Sequence, residues 1–348
     1  VSEILDYSEA VEAAQASCEE LSLLLGNGFS IDYDPMTFRY ESLAAEAKLP
    51  GLSVAKEELF DRLGTDNFEL IIERLRAAAA LETTYQFGVE VAERMESDAR
   101  VVRNGLADVI AARHPDRASV LTSDEIMHAR TFLSPFKNIF TLSYDLLLYW
   151  VVNAVDTNSI PVPRADGFEW PSFKSRDVLV WKSRPGSPQR IHFLHGALHL
   201  FVTTRDDSAV LTKLGWASGG NLVDALRAEL AAGKYPLVVT EGTHAEKVER
   251  IERSSYLRTA HRRLGALRGA LFIHGMSMSA SDDHVLERLE SETCAVDTLY
   301  VGVHGDPKSP TARSVIERAR RLKERRESGF KGLELYFYDS ASAHAWRG

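Results

Sequence analysis

With 348 residues, 45% of them apolar and 26% charged, the chain has globular composition and room for one large α/β unit with an insertion, or for two domains. A formal net charge of −9 argues against coating DNA or an anionic membrane, so neither nucleic acid nor membrane is an expected partner. Two cysteines, Cys18 and Cys294, exclude a disulfide scaffold and a cysteine-based zinc site and fit a reducing cytoplasm. The start, VSEILDYSEA, lacks the basic-then-apolar pattern of a signal peptide, and no stretch approaches the ~18 apolar residues of a membrane span. A cytoplasmic location is the expectation.

In chain order, short apolar runs end in Gly, Ser, Thr or Asp: LSLLLGNG (21–28), NIFTLS (138–143), IHFLHG (191–196), PLVVTEG (236–242), ALFIHGMS (270–277), TLYVGVHG (298–305) and LELYFYD (333–339). Continuous runs of this length suit strands buried on both faces, as in a parallel sheet. Apolar positions at three- and four-residue spacing predict helices over 245–267 and 309–328. The alternation predicts an α/β fold with a doubly wound, mostly parallel, Rossmann-like sheet. Residues 53–135 show amphipathic helix patterns and no convincing strand. They read as a helical insertion between a first part, 1–52, and a remainder, 136–348, of one α/β domain. Within the insertion, Asp66 and Glu69 fit a helix-start capping pair. Residues 158–177 read as a surface loop.

The first long strand closes with Gly26-Asn27-Gly28-Phe29-Ser30. A glycine turn at this point lets backbone N–H groups approach a phosphate, although a third glycine expected at 31 is Ile31, and a plain tight turn is the bland alternative. Pro35, Phe38 and Arg39 follow as a rigid turn, an aromatic lid candidate and a cation. Downstream, Thr141, Ser143 and Asp145 end one apolar run and His195-Gly196 ends another. A histidine after a strand is a candidate general base, because its ordinary pKa lies near ~6.5, or simply a loop residue. His192, His195 and His199 lack the glutamate of a metalloprotease helix, and no metal is expected. Glu241 either faces the cleft or sits at a helix start.

Taken together, these stretches resemble the sirtuin-like NAD-binding family. GNGFS resembles its Gly-Ala-Gly-Ile-Ser stretch, and PMTFR its Gly-Ile-Pro-Asp-Phe-Arg stretch, with Thr37 in place of the aspartate. TLSYD resembles its Thr-x-Asn-x-Asp motif, LHG its catalytic His-Gly, and Gly275-Met276-Ser277 its Gly-Thr-Ser stretch. The order of the motifs is the specific part. The four cysteines of the deacetylase zinc ribbon are absent, so the resemblance points to the bacterial sirtuin-like branch without that ribbon, often NAD glycohydrolases of phage defence.

The resemblance implies NAD as substrate or ligand, with ADP-ribose as product or ligand. It assigns His195, Ser143 and Asp145 to catalysis, and it places Gly26, Asn27, Gly28, Phe29, Ser30, Phe38, Arg39, Thr141, Gly275 and Ser277 around the nucleotide. It also implies a homo-oligomer and a defence-system partner protein. Ser143 stands where the family has asparagine, which leaves a catalytically weak or inert NAD- or ADP-ribose-binding sensor or regulatory subunit as the alternative reading. A third reading is a serine hydrolase, with Ser277 near a G-x-S-x-G elbow and Asp306 and His344 in the right chain order.

Overall fold

The computed structural model describes residues 4–86, 88–154, 162, 165–170, 178–182, 189–205, 208–214, 221–239, 244–329 and 332–348. Its strands are β1 (Ile4–Leu5), β2 (Leu21–Leu25), β3 (Asn138–Thr141), β4 (Phe168–Glu169), β5 (Val178–Trp181), β6 (Ile191–Phe193), β7 (Leu200–Arg205), β8 (Ser208–Leu214), β9 (Arg268–His274), β10 (Ala295–Val303) and β11 (Glu334–Asp339). Seven of them form one sheet in the order β1-β11-β10-β9-β2-β3-β6, and every pair is parallel. The chain runs outward from β2 through β3 to β6. It then returns to β9 on the other side of β2 and runs outward again to β11. That reversal makes the gap between β2 and β9 a topological switch point, where the carboxyl ends of open α/β sheets form a crevice. The sheet is the doubly wound α/β architecture expected.

Burial explains why these runs are strands. All five residues of β2 are buried, since helices cover both faces of a parallel sheet. Among the described residues between β2 and β3 the regular elements are helical, with the two longest at Phe68–Tyr85 and Val89–Arg113. Phe68, Ile71, Ile72 and Leu75 recur at helical spacing and share one buried apolar core with Leu21, Leu23 and Leu25 of β2. The predicted helix over 245–267 is two helices, His244–Arg253 and Ser255–Leu264, because Ser254 caps the second by accepting from the Leu257 N–H at 3.4 Å.

Three expectations differ from the structure. Of the run 236–242, the described part, 236–239, is not a sheet strand: it makes an isolated antiparallel bridge, Gly196 to Val238, and Glu241 lies outside the described residues. A second sheet, β4-β5-β8-β7, is antiparallel and includes β4 from the stretch read as a surface loop. At the start of the helix Phe68–Tyr85 the cap is Asn67, whose side chain accepts from the N–H groups of Glu69 at 2.9 Å and Leu70 at 3.4 Å. Glu69 is thereby released from capping and turns elsewhere. No helix among the described residues is long and apolar enough to cross a membrane.

Candidate active site

The site is built where β2 and β9 end side by side, with Leu25 paired to His274. The turn after β2 donates to the turn after β9: Gly26 N–H to the His274 carbonyl at 2.9 Å and Gly28 N–H to the Gly275 carbonyl at 2.8 Å. A Cβ on Gly26 would lie 2.3 Å from the Gly275 oxygen, and one on Gly28 would lie 2.5 Å from the Gly275 Cα. Gly275 itself sits at φ +65°, a left-handed conformation that glycine adopts without strain. The glycines thus allow two backbones to touch, and the N–H groups of Gly26 and Gly28 are already engaged in that contact. Beneath the turn, Trp346 donates its indole N–H to the Phe29 carbonyl at 2.7 Å, so the end of the described chain braces the first loop.

Gly26, Asn27, Gly28, Phe38, Ser143, Asp145, His195, Gly275 and Ser277 all line one cavity of about 340 Å³ above this switch point. Four other expected site residues lie outside its lining. Phe29 is buried against Phe132 and Trp346. Ser30 is buried and donates to Asp145 Oδ2 at 2.6 Å. Thr141 accepts the Ser143 N–H at 3.1 Å through its hydroxyl. Arg39 is exposed and precedes the short helix Tyr40–Glu46. Ser30 and Thr141 therefore orient residues of the cavity from behind it. Asp145 is held on its second oxygen too, by the Leu147 N–H at 2.8 Å. Asp306 and His344 are exposed and are not among the residues lining the cavity with Ser277, which leaves the hydrolase arrangement without its partners.

Ser143 and Asn27 face one another. The Ser143 hydroxyl donates to Asn27 Oδ1 at 3.4 Å, while Asn27 Nδ2 donates to the Phe38 carbonyl at 3.0 Å. A carboxamide is therefore present in the cavity beside Ser143, but it comes from the β2 turn.

His195 is buried at the cavity wall, in the turn after β6. Gly196 follows it at φ +76°, where a Cβ would fall 1.9 Å from the Leu237 carbonyl oxygen. This explains the His-Gly pair: the segment 236–239 folds over the turn, with Val239 N–H donating to the His195 carbonyl at 2.8 Å. His195 Nε2 lies 2.8 Å from His284 Nε2, so one proton is shared between the rings. His261 stacks beyond His284 at 5.9 Å and hydrogen-bonds the Leu194 carbonyl at 3.0 Å. Burial, then the neighbouring His284, Lys247 and His261, hold His195 well below its ordinary pKa. Burial with nearby cations pushes His284 down to about 2, and burial brings His261 to about 4 despite the Leu194 carbonyl.

The rest of the lining was not legible in the sequence. Glu69 Oε1 accepts from the Tyr144 hydroxyl at 2.5 Å, and its Oε2 accepts from the buried Lys247 ammonium at 3.1 Å. Lys247 also donates to the Ser281 carbonyl at 3.1 Å. Asp282 lines the same cavity. Burial, reinforced by the Glu69 charge and opposed by Lys247, raises its carboxyl to about 7. Glu69 stands three residues after Asp66, where sequence patterns suggest a capping pair, so no local signal separates the two roles. Among the described residues no group of three or more His, Cys, Asp or Glu is arranged to hold a metal ion.

The histidines set an acid limit on stability. Unfolded histidines titrate near ~6.5, whereas His192 is held at about 3, His261 and His274 at about 4, mainly by burial. Between those values the unfolded chain binds more protons, so stability should fall as pH drops from about 6.5 toward 4. Asp282 acts in the opposite sense: the folded state holds its proton up to about 7, so its contribution is lost as pH rises through that value. Urea midpoints from pH 4 to 8 check both. Asp282→Asn should remove the decline on approaching neutrality and leave the acid limb intact.

Comparison with solved structures aligns most of the chain with Sir2 proteins at low similarity. A Sir2 homologue mutant in complex with 2′-O-acetyl ADP ribose matches at 11% identity and a TM-score of 0.33, covering 91% of this chain and 96% of that one. A Sir2 homologue–NAD complex matches at 12% identity and a TM-score of 0.28, covering 93% and 97%. At these values the likeness assigns no role to any residue. No curated protein matches the sequence. The profile of one family, described as a domain of unknown function (DUF4917), matches residues 23–346. The chain belongs to the DUF4917 family.

Proposed function

We propose that the chain binds NAD in the cavity between β2 and β9 and hydrolyses its nicotinamide N-glycosidic bond, releasing nicotinamide and ADP-ribose. The observation that carries this reading is convergence: the glycine turn, Ser143 with Asp145, His195, and Gly275 with Ser277 come from distant parts of the chain and line one crevice at the switch point.

The proposed chemistry asks little of the protein as acid. The leaving nicotinamide is a pyridinium in NAD, so the breaking C1′–N bond delivers its electron pair to a nitrogen that becomes neutral without protonation. What is needed is orientation of the ribose, tolerance of an oxocarbenium-like C1′, and a base for water. His195 is neutral at pH 7 because burial depresses its pKa. In the tautomer whose Nε2–H donates to His284, the His195 Nδ1 carries the lone pair that takes the water proton as oxygen bonds C1′. Asp145, fixed by Ser30 and Leu147, supplies a negative charge near the developing cation. Asn27 and Ser143 offer the donor and acceptor for ribose hydroxyls. Since the Gly26 and Gly28 N–H groups are engaged, the pyrophosphate falls to the exposed Ser277 and its neighbours at the mouth. By the family resemblance of the motifs, the setting is NAD depletion in anti-phage defence by a cytoplasmic homo-oligomer working with a defence partner.

Ser143 favours a second reading, an NAD or ADP-ribose sensor, because a hydroxyl held at 3.4 Å by Asn27 reaches less far than a carboxamide. Incubation with NAD and quantification of nicotinamide and ADP-ribose separates the two. The glycohydrolase reading expects both products in equal amounts from the native chain. Binding of NAD without products, in both the native chain and Ser143→Asn, selects the sensor. Absence of binding removes both.

A further inference from the structure

The opposite end of the sheet carries a second cavity, of about 570 Å³, that the proposed reaction does not use. Asn138 opens β3, Arg268 opens β9, and Arg190 immediately precedes β6, so the three line it from the amino ends of the strands. Arg263 joins them from the helix Ser255–Leu264. Three arginines thus line one hollow in a protein whose net charge is −9.

Little in the protein neutralises them. Arg263 Nη1 donates to the Gln189 carbonyl at 3.0 Å and Arg190 Nη1 to Asn138 Oδ1 at 3.3 Å, both neutral acceptors. A guanidinium has five N–H donors, so most of each fork stays available. None of the three arginines has an ion-pair partner among the described residues. The one carboxylate in the lining, Glu20, is paired with Lys137. On the buried floor His192 stacks against Phe140 at 4.6 Å, and its Nδ1 has no hydrogen-bond partner. The cations are close enough to act on one another and on the floor. Arg263 is lowered from its ordinary pKa by burial and by Arg190, and His192 by burial, Arg263 and Arg190. Bringing like charges together costs free energy, which a bound polyanion would repay.

We propose that this cavity binds a small molecule bearing a polyphosphate chain, held by Arg190, Arg263 and Arg268. Guanidinium forks match pairs of phosphate oxygens, and three of them fit successive phosphates better than a single carboxylate. The volume admits a diphosphate or triphosphate with a small attached group. The site lies at the far ends of the strands that carry the candidate active site, so its ligand need not be the substrate.

The test is calorimetric titration of the full chain with inorganic tripolyphosphate, ATP and adenosine. Tripolyphosphate and ATP should each bind saturably at one site, and adenosine should not. Arg190→Gln and Arg263→Gln should each weaken tripolyphosphate binding at least ~10-fold, the ordinary loss for one charge-assisted contact. The exposed Arg268→Gln, which is removed from the fold's core, gives a several-fold loss and serves if the other variants do not fold. A His195→Ala control should bind tripolyphosphate as the native chain does. The proposal is overturned by absence of saturable binding, or by affinity unchanged from that of the native chain in all three arginine variants. Displacement of tripolyphosphate by a short DNA duplex at lower concentration would reassign the patch to nucleic acid and also overturn it.

Discussion

Replacing His195 by alanine should lower nicotinamide release by about 10²–10⁴-fold, the range for loss of a positioned general base. Binding of ADP-ribose should change far less, because the turns at Gly26 and Gly275, which also line the cavity, are left intact. The effect belongs in kcat, since the proton is transferred only as water attacks. His284→Asn tests the shared proton. It keeps a polar group near His195 Nε2, 2.8 Å from the present ring nitrogen, and should shift the pH profile of kcat more than KM. Nicotinamide release unchanged in His195→Ala, measured in single turnover, would sink the assignment of the base while leaving the binding cleft standing.

Removing the Lys247 ammonium should cost the fold about 3–5 kcal/mol, the usual penalty for breaking a buried ion pair from one side. Its side chain is 2% exposed and Glu69's is 12%, so Lys247→Met leaves a carboxylate with little water to replace its partner. The Ser281 carbonyl loses its donor as well. The double variant Glu69→Gln with Lys247→Met should recover a large part of the loss, because no charge is then stranded. Urea unfolding of the four chains in the cycle checks this. Additive losses in the double variant would show that the pair does not interact energetically. Lys247→Met should also raise the Asp282 pKa further, since Lys247 is the cation that opposes its burial.

Much of the sheet was legible because burial on both faces leaves a strong one-dimensional mark. LSLLL, the centre of β2, is apolar without alternation and is entirely buried. Strands that are short or packed on one side leave a weaker mark, and the antiparallel sheet β4-β5-β8-β7 went unread for that reason. The run 236–242 misled in the other direction: its described part, 236–239, is apolar because it covers the His195 turn, with Leu237 approaching Gly196, and not because it lies in the sheet. Apolar sequence reports burial, and burial has more than one geometry.

The candidate site divides in the same way. Glycine turns and a histidine at strand ends are local features, so Gly26, Gly28, Gly275 and His195 could be picked from sequence. The second layer is nonlocal. Glu69 meets Tyr144 and Lys247, which lie 75 and 178 residues away, and His284 meets His195 across 89. Nor does the sequence distinguish a glycine whose N–H awaits a phosphate from one whose N–H is held by a neighbouring turn. That depends on β2 and β9 being adjacent, which follows from strand order and not from either stretch alone. By itself, then, the sequence determined the parallel α/β sheet, the helical stretch between β2 and β3 and the residues able to carry chemistry, because each rests on local pattern. Only the tertiary structure decided which of those residues share a cavity, which amides are occupied, and where uncompensated arginines converge, because distance and desolvation arise only when separate segments pack together.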